Sequence, residues 1–221
     1  EVEILAWDEF EERVLAGRIP DTAEVRIEAV TGDAFVRASE LDLVTSLQNA
    51  DHVAWRRRFE ASGPPILTML LVGFQIRIWF AAQVPGLGDW LSTYGMNWLP
   101  PALEDGQMWR IPTSGLLHTD FLHILLNMVW MAYTGWNLER ALGRANVAAI
   151  FFFSVFLGGL LSMFLSPGNP SLGASGGVYG LVAASVVFGF VRHDILPEKS
   201  RILFGAALAP YLILMFFSGL S

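Results

Sequence analysis

Five long apolar runs follow one another after residue 64, and they decide what this chain can become. They lie at about 65–84, 115–138, 146–166, 174–191 and 202–219. Each approaches the ~20 residues a helix needs to cross the hydrocarbon of a bilayer. Backbone amides find no water there, so runs of this kind satisfy themselves as helices. The first run holds Gln75 and Arg77. An arginine in that position must snorkel or face protein, because exposing it to lipid costs several kcal/mol. The first run also comes after some 60 polar residues, which argues against a signal peptide. The expected fold is an all-α, multi-pass membrane bundle.

Charge divides the chain at the same place. Residues 1–60 carry 14 acidic and 7 basic side chains, the whole of the net charge of −7, whereas residues 61–221 carry 7 of each. The front segment reads as a small mixed α/β cytosolic module. "EVEILAW" alternates like a strand, "DEFEERVLAG" offers Asp8 as a helix start and Gly17 as its stop, "AEVRIEAV" suggests a strand, and "ASELDLVTSLQ" a short helix. No titratable cluster there points to chemistry, and an appendage or a recognition module is the expectation. The expected domains are therefore 1–60, acidic and cytosolic, and 61–221, embedded. With no cysteine, disulfides and thiolate metal sites are excluded. Nothing in the chain resembles a phosphate loop or a basic nucleic-acid surface. No metal, cofactor or nucleic-acid partner is expected, and the lipid bilayer is.

Orientation follows from the positive charges. Arg56, Arg57 and Arg58 precede the first run, Arg140 and Arg144 separate the second from the third, and Arg192, Lys199 and Arg201 separate the fourth from the fifth. Arg110 alone lies on the other side. The N-terminus is expected in the cytoplasm, with the odd-numbered runs leading outward. The loop 85–114 is then outside. Its tryptophans and prolines suit the water–lipid interface, and no helix signal stands out in it.

This topology gives depth. Ser175 opens the fourth run from the outside, and His123 and Asn127 lie in the outer half of the second. The spacing i, i+4 puts His123 and Asn127 on one helix face. Each residue has a plain structural reading. Gly173–Gly177 and Gly176–Gly180 are small-residue pairs that let helices approach, and polar side chains in lipid seek partners. Together, however, they have the makings of a reaction site. A serine at a helix start sits beside unpaired backbone N–H groups that can stabilise an oxyanion, and donors from a second helix could complete the hole.

Four pieces taken in order, "WR" at 109–110, "HTDFLHILLNMVW" at 118–130, "LERALG" at 138–143 and "GASGGVYG" at 173–180, resemble the rhomboid intramembrane serine proteases. The likeness covers 109–180 well and 61–221 in topology, but not 1–60. It implies that Ser175 is the nucleophile within Gly-x-Ser-Gly, flanked by Gly173 and Gly176. It implies that His123 and Asn127 line the oxyanion hole with the Ser175 N–H, that His118 is supporting, and that Trp109 and Arg110 form the outer-loop pair. Glu139 corresponds to a structural carboxylate at the inner end of the second span, and Tyr179 to the aromatic under the catalytic histidine ring.

Such proteases use a Ser–His dyad whose histidine comes from a sixth span. His193 is 18 residues beyond Ser175, ~27 Å along a helix and so at the opposite face. His52 belongs to the front segment. His123 is on the correct side and remains open as a base. The expectation is that the chain, which lacks an initial methionine, is a piece of a longer one, and that a base histidine follows Ser221. The expected activity is peptide-bond hydrolysis in or near the transmembrane segment of single-span proteins, in a bacterial inner membrane. Two alternatives stand beside it: a rhomboid-like protein that binds transmembrane helices without cutting them, and a small channel or transporter that uses His123, Asn127 and Arg77 as a polar path.

Overall fold

The computed structural model describes residues 3–49, 55, 58–192, 196, 204, 205 and 208–212. His52, His193 and most of the fifth apolar run lie outside the described residues. Contacts divide the chain into two compact units, with a boundary between Ser62 and Gly63.

In the first unit, helix α1 (Trp7–Leu15) is followed by strand β1 (Glu24–Val25), helix α2 (Glu28–Thr31), strand β2 (Val36–Arg37) and helix α3 (Asp42–Asn49). The strands pair antiparallel, Val25 against Val36. Phe10, Val14, Ala38, Leu41 and Val44 form a small apolar core. Arg13 bridges Glu3 and Glu9 at 2.8 Å each. That hydrogen-bonded ion pair holds the Glu3 carboxyl below its ordinary range. Of residues 1–7, expected as a strand, residues 3–6 are irregular and Trp7 opens α1, and the strand expected over 23–30 is only the two-residue β1, its last residues belonging to α2. The acidic residues Asp8 and Glu9 stand in the first turn of α1, where they favour the positive end of the helix dipole.

The second unit is helical. Helix α4 spans Ile66–Ala81, and the short helices α5 (Leu87–Gly95), α6 (Leu99–Leu103) and α7 (Arg110–Ser114) follow. Helices α8 (Phe121–Leu142), α9 (Arg144–Leu165) and α10 (Ser175–Val191) complete the described set. Among the described helices, only α9 is both long and apolar enough to cross a membrane by that measure alone, and α4 and α10 are shorter apolar helices of 16 and 17 residues. The outward faces are greasy. Phe74, Phe80, Leu122, Leu126, Phe153, Phe164 and Phe190 are all exposed, and exposed large apolar side chains in such number mark a surface for lipid or a partner.

Two features organise the packing. First, the glycines of α10 let α9 come close: Gly176 lies against the α9 backbone at Ser154 and Gly158, and a Cβ placed on Gly177 would overlap the Phe151 ring and lie 2.8 Å from Val155. The glycines of α10 thus do pack helices, as their spacing suggested. Secondly, the Glu139 carboxylate of α8 reaches the first turn of α4. It accepts hydrogen bonds from the backbone N–H of Leu67 (2.9 Å) and of Thr68 (2.7 Å), and from the Thr68 hydroxyl (2.8 Å). Two of the unpaired amides that open every helix are satisfied this way. Arg144 Nε stands 3.4 Å from the same carboxylate, on a largely exposed side chain.

Glu139→Ala is expected to lower stability by about 2–3 kcal/mol, because buried donors lose a charged acceptor. Glu139→Gln, which retains one acceptor oxygen, is expected to lose less. Thermal unfolding in detergent measures both, and an alanine variant that unfolds at the wild-type temperature would remove Glu139 from its capping role.

Two expectations need correction. The second apolar run was read as helical from residue 115, but α8 begins at Phe121, because the Asp120 side chain accepts from His123 N (2.9 Å) and caps the helix there. The loop 85–114, in which no helix signal stands out, contains α5, α6 and α7. Arg77 lies on the exposed face of α4, and of the two solutions expected for it, exposure among the described residues fits snorkelling.

Candidate active site

The loop before α10 is placed by backbone bonds from two directions. Asn97 and Ser171 pair as an isolated antiparallel bridge, N–H to carbonyl at 2.9 and 2.8 Å. Gly173 N donates to the Ser114 carbonyl (2.9 Å). Ser175 is then the first residue of α10, exposed, while Ala174 before it is completely buried. The helix start therefore presents the serine hydroxyl outward on a fixed base, with the unpaired N–H groups of the first turn beside it.

Gly173 joins the two helices that carry the site. Its φ of +130° is a conformation that suits glycine. A Cβ there would lie 2.7 Å from His123 Nε2 and 3.6 Å from Ser175 Oγ. So His123 Nε2 and Ser175 Oγ both stand within 4 Å of one point beside the Gly173 backbone, and any side chain at 173 would fill the space between them. Gly176, one residue after the serine, faces the α9 backbone at Ser154 and Gly158 rather than the site.

On α8, His123 is half-buried and Asn127 is buried one turn further in. Asn127 Nδ2 donates to the His123 carbonyl (2.9 Å), which uses one of its two amide hydrogens. Its Oδ1 has no partner among the described residues. His123 Nδ1 meets the Thr119 hydroxyl at 3.2 Å. His118 lies in the turn before α8, buried, with its ring edge-on to that of His123 at 5.0 Å between centroids. Neither His118 nitrogen has a partner among the described residues, so its contact with His123 is one of ring packing. Tyr179 follows Ser175 by one turn of α10 and is half-buried.

The loop residues Trp109 and Arg110 sit apart from this cluster. Arg110 is buried and ties the loop together, with Nε on Gln107 Oε1 (2.8 Å) and a terminal nitrogen on the Met96 carbonyl (3.0 Å). Trp109 is half exposed and its indole N–H reaches the Tyr94 carbonyl (3.3 Å). Glu139 lies at the far end of α8, in the cap already described.

One residue of this region had no signal in the sequence. Asn97 is buried and donates through Nδ2 to the Gly159 carbonyl of α9 (2.7 Å) while pairing its backbone with Ser171. It thus fixes the outer loop, α9 and the approach to Ser175 to one another. An asparagine in a tryptophan- and proline-rich loop shows none of this until the chain is folded. Among the described residues, no group of histidines and acids could hold a metal ion.

The rhomboid domain model matches residues 105–221, just over half of the chain. A rhomboid protease GlpG of Photorhabdus laumondii is 32% identical over 159 residues, which is 72% of this chain and 52% of that protein. Rhomboid-like protease 3 of Toxoplasma gondii is 29% identical, over 53% of this chain and 44% of that protein. Inactive RHOMBOID-like protein 8 of Arabidopsis thaliana is 30% identical, over 47% of this chain and 30% of that protein. The chain thus spans about half or less of the length of these relatives.

Proposed function

The chain belongs to the rhomboid family, a family of multi-pass integral membrane proteins, and from that premise we propose that it is an intramembrane serine peptidase with Ser175 as its nucleophile. The observation that supports this most is the arrangement around Gly173, where a serine on a helix start and an imidazole from a second helix share one uncluttered space. Packing alone explains the glycines of α10; it does not call for a hydroxyl turned outward into that space.

In this reading Ser175 Oγ attacks the carbonyl carbon of a peptide bond, and its proton passes to a base histidine. The carbonyl oxygen becomes an oxyanion facing the Ser175 N–H and the second amide hydrogen of Asn127. The intermediate collapses, the amine leaves with the proton, and the acyl group stays on Ser175 until water hydrolyses it. The base is the element that the resemblance assigns to a sixth span. Reading the gene beyond the Ser221 codon checks that requirement: an apolar span carrying a histidine is expected, and a span without one would end the dyad mechanism.

Substrates in this proposal are single-span membrane proteins cut in or near their transmembrane segment. Residues 61–221 form the embedded domain, with the N-terminus and the 1–60 module on the cytoplasmic side of a bacterial inner membrane. Purified full-length protein in proteoliposomes is expected to cleave a panel of single-span reporters, with product termini mapping to positions close to the outer membrane surface. A panel that stays intact would favour the second reading, a rhomboid-like protein that binds helices without cutting them. The likeness to an inactive relative is the observation in its favour.

A further inference from the structure

Three side chains at the start of α8 are linked in a way that fixes more than position. The Thr119 hydroxyl lies 2.8 Å from Asp120 Oδ2 and 3.2 Å from His123 Nδ1. Asp120 Oδ1 is already held by the His123 backbone N–H (2.9 Å), as the helix cap. A threonine hydroxyl has one hydrogen to give, and an ionised carboxylate accepts only. The contact between Thr119 and Asp120 therefore requires the hydroxyl hydrogen to point at the carboxylate. That leaves a lone pair of Thr119 Oγ1 facing His123 Nδ1. Two lone pairs would repel, so Nδ1 must carry the hydrogen.

We propose that Thr119 and Asp120 are positioning residues that hold neutral His123 as its Nδ1–H tautomer, so that the nitrogen facing Gly173 and Ser175 is a hydrogen-bond acceptor. The hydrogen bond at one ring nitrogen commonly decides the state of the other. Nothing else around the ring competes for that choice among the described residues. His118 meets it edge-on, and its own nitrogens make no hydrogen bond.

The proposal rests on the peptidase reading for its consequence. Neutral His123 then has a lone pair, not a hydrogen, at Nε2. It can accept from the Ser175 hydroxyl, from water or from a substrate N–H, and it can donate to an oxyanion only after the ring has become cationic. Asn127 Nδ2 and the Ser175 N–H are left as the neutral donors.

Asp120→Asn separates this account from a structural role, because asparagine caps helices as well as aspartate does. Its amide nitrogen would now donate to Thr119 Oγ1, freeing the hydroxyl hydrogen for His123 Nδ1 and moving the ring hydrogen to Nε2. The measurement is the ring-nitrogen NMR of full-length protein, labelled with ¹⁵N-histidine, in micelles about two units above the ordinary imidazole pKa of ~6.5. His123→Gln identifies the signal by its loss. Wild type and Thr119→Ser are expected to show Nδ1–H in excess by roughly fivefold, the bias of one net hydrogen bond. Thr119→Val is expected to lose that excess, and Asp120→Asn to reverse it. An excess of Nε2–H in wild type overturns the proposal, as does an unchanged tautomer in both Asp120→Asn and Thr119→Val. A fluorophosphonate labelling assay on the same wild-type sample keeps the two readings apart. Nδ1–H without labelling would sink the peptidase and leave the relay, whereas labelling with Nε2–H would do the reverse.

Discussion

Ser175→Ala is expected to leave the protein folded and to abolish proteolysis, with a loss on the order of 10⁶-fold in turnover, the scale seen when a serine nucleophile is removed elsewhere. The substitution removes one exposed oxygen at the first position of α10 and adds no bulk. Ala174 remains buried beneath it, and the Gly173 N–H to Ser114 carbonyl bond is untouched. Alanine is also the best helix former, so the unfolding temperature should hold or rise slightly. Two measurements on one preparation test this: reporter cleavage in proteoliposomes and thermal unfolding in detergent. A variant that still cleaves at more than a hundredth of the wild-type rate would point to another nucleophile. A variant that loses activity only because it unfolds would make Ser175 structural.

Asn127→Ala is expected to lower kcat by about 10²–10³-fold while changing KM little, which is the usual cost of losing one oxyanion donor. The geometry behind this is narrow. Asn127 is buried on α8, one turn inward from His123, and spends one amide hydrogen on the His123 carbonyl. The other hydrogen has no partner among the described residues, and in the proposed mechanism only the transition state would use it. Asn127→Asp, which has a similar size but offers no amide hydrogen, should be at least as poor. If alanine raised KM and left kcat intact, Asn127 would serve binding rather than the reaction. His118→Ala offers a contrast. Among the described residues it meets the site at the edge of the His123 ring, so its effect should be read mainly in stability.

The helical architecture could be read from apolar length alone, and three of the observed helices agree with the sequence to within a few residues. Helix α8 is the exception. Its apolar run begins before the helix does, because His118 to Asp120 form a capped turn whose geometry depends on one carboxylate oxygen. Hydropathy is blind to such a cap. The loop 85–114 hid its short helices for a different reason. Its order comes from bonds between distant residues, Asn97 to Gly159, Arg110 to Met96 and Trp109 to Tyr94, and no local pattern carries them. In the front module the apolar alternation at residues 1–7 suggested a strand, but α1 and its Phe10–Val14 core take over from Trp7.

For the site, depth and helix face suggest that Ser175, His123 and Asn127 lie at one level; the fold brings His123 Nε2 and Ser175 Oγ to one space beside Gly173 and puts Asn127 one turn along α8 from His123. What depth and face could not supply was the role of Gly173 as the space between two helices, or the link from Asp120 through Thr119 to the His123 ring. The first depends on a backbone angle and the second on one hydroxyl hydrogen. Neither has a sequence period. Glu139 shows the middle case: the likeness to known proteases suggested a structural carboxylate, and the fold supplies what it holds, the opening amides of α4.

The claim that Ser175 is an activated nucleophile has one direct measurement. Full-length protein in detergent is treated with a fluorophosphonate, digested, and the modified peptide is located by mass spectrometry. The account predicts a single covalent adduct on Ser175, absent from Ser175→Ala and lost on heat denaturation. An adduct on another serine, equal labelling of wild type and Ser175→Ala, or no labelling of a protein shown to be folded and complete would contradict it.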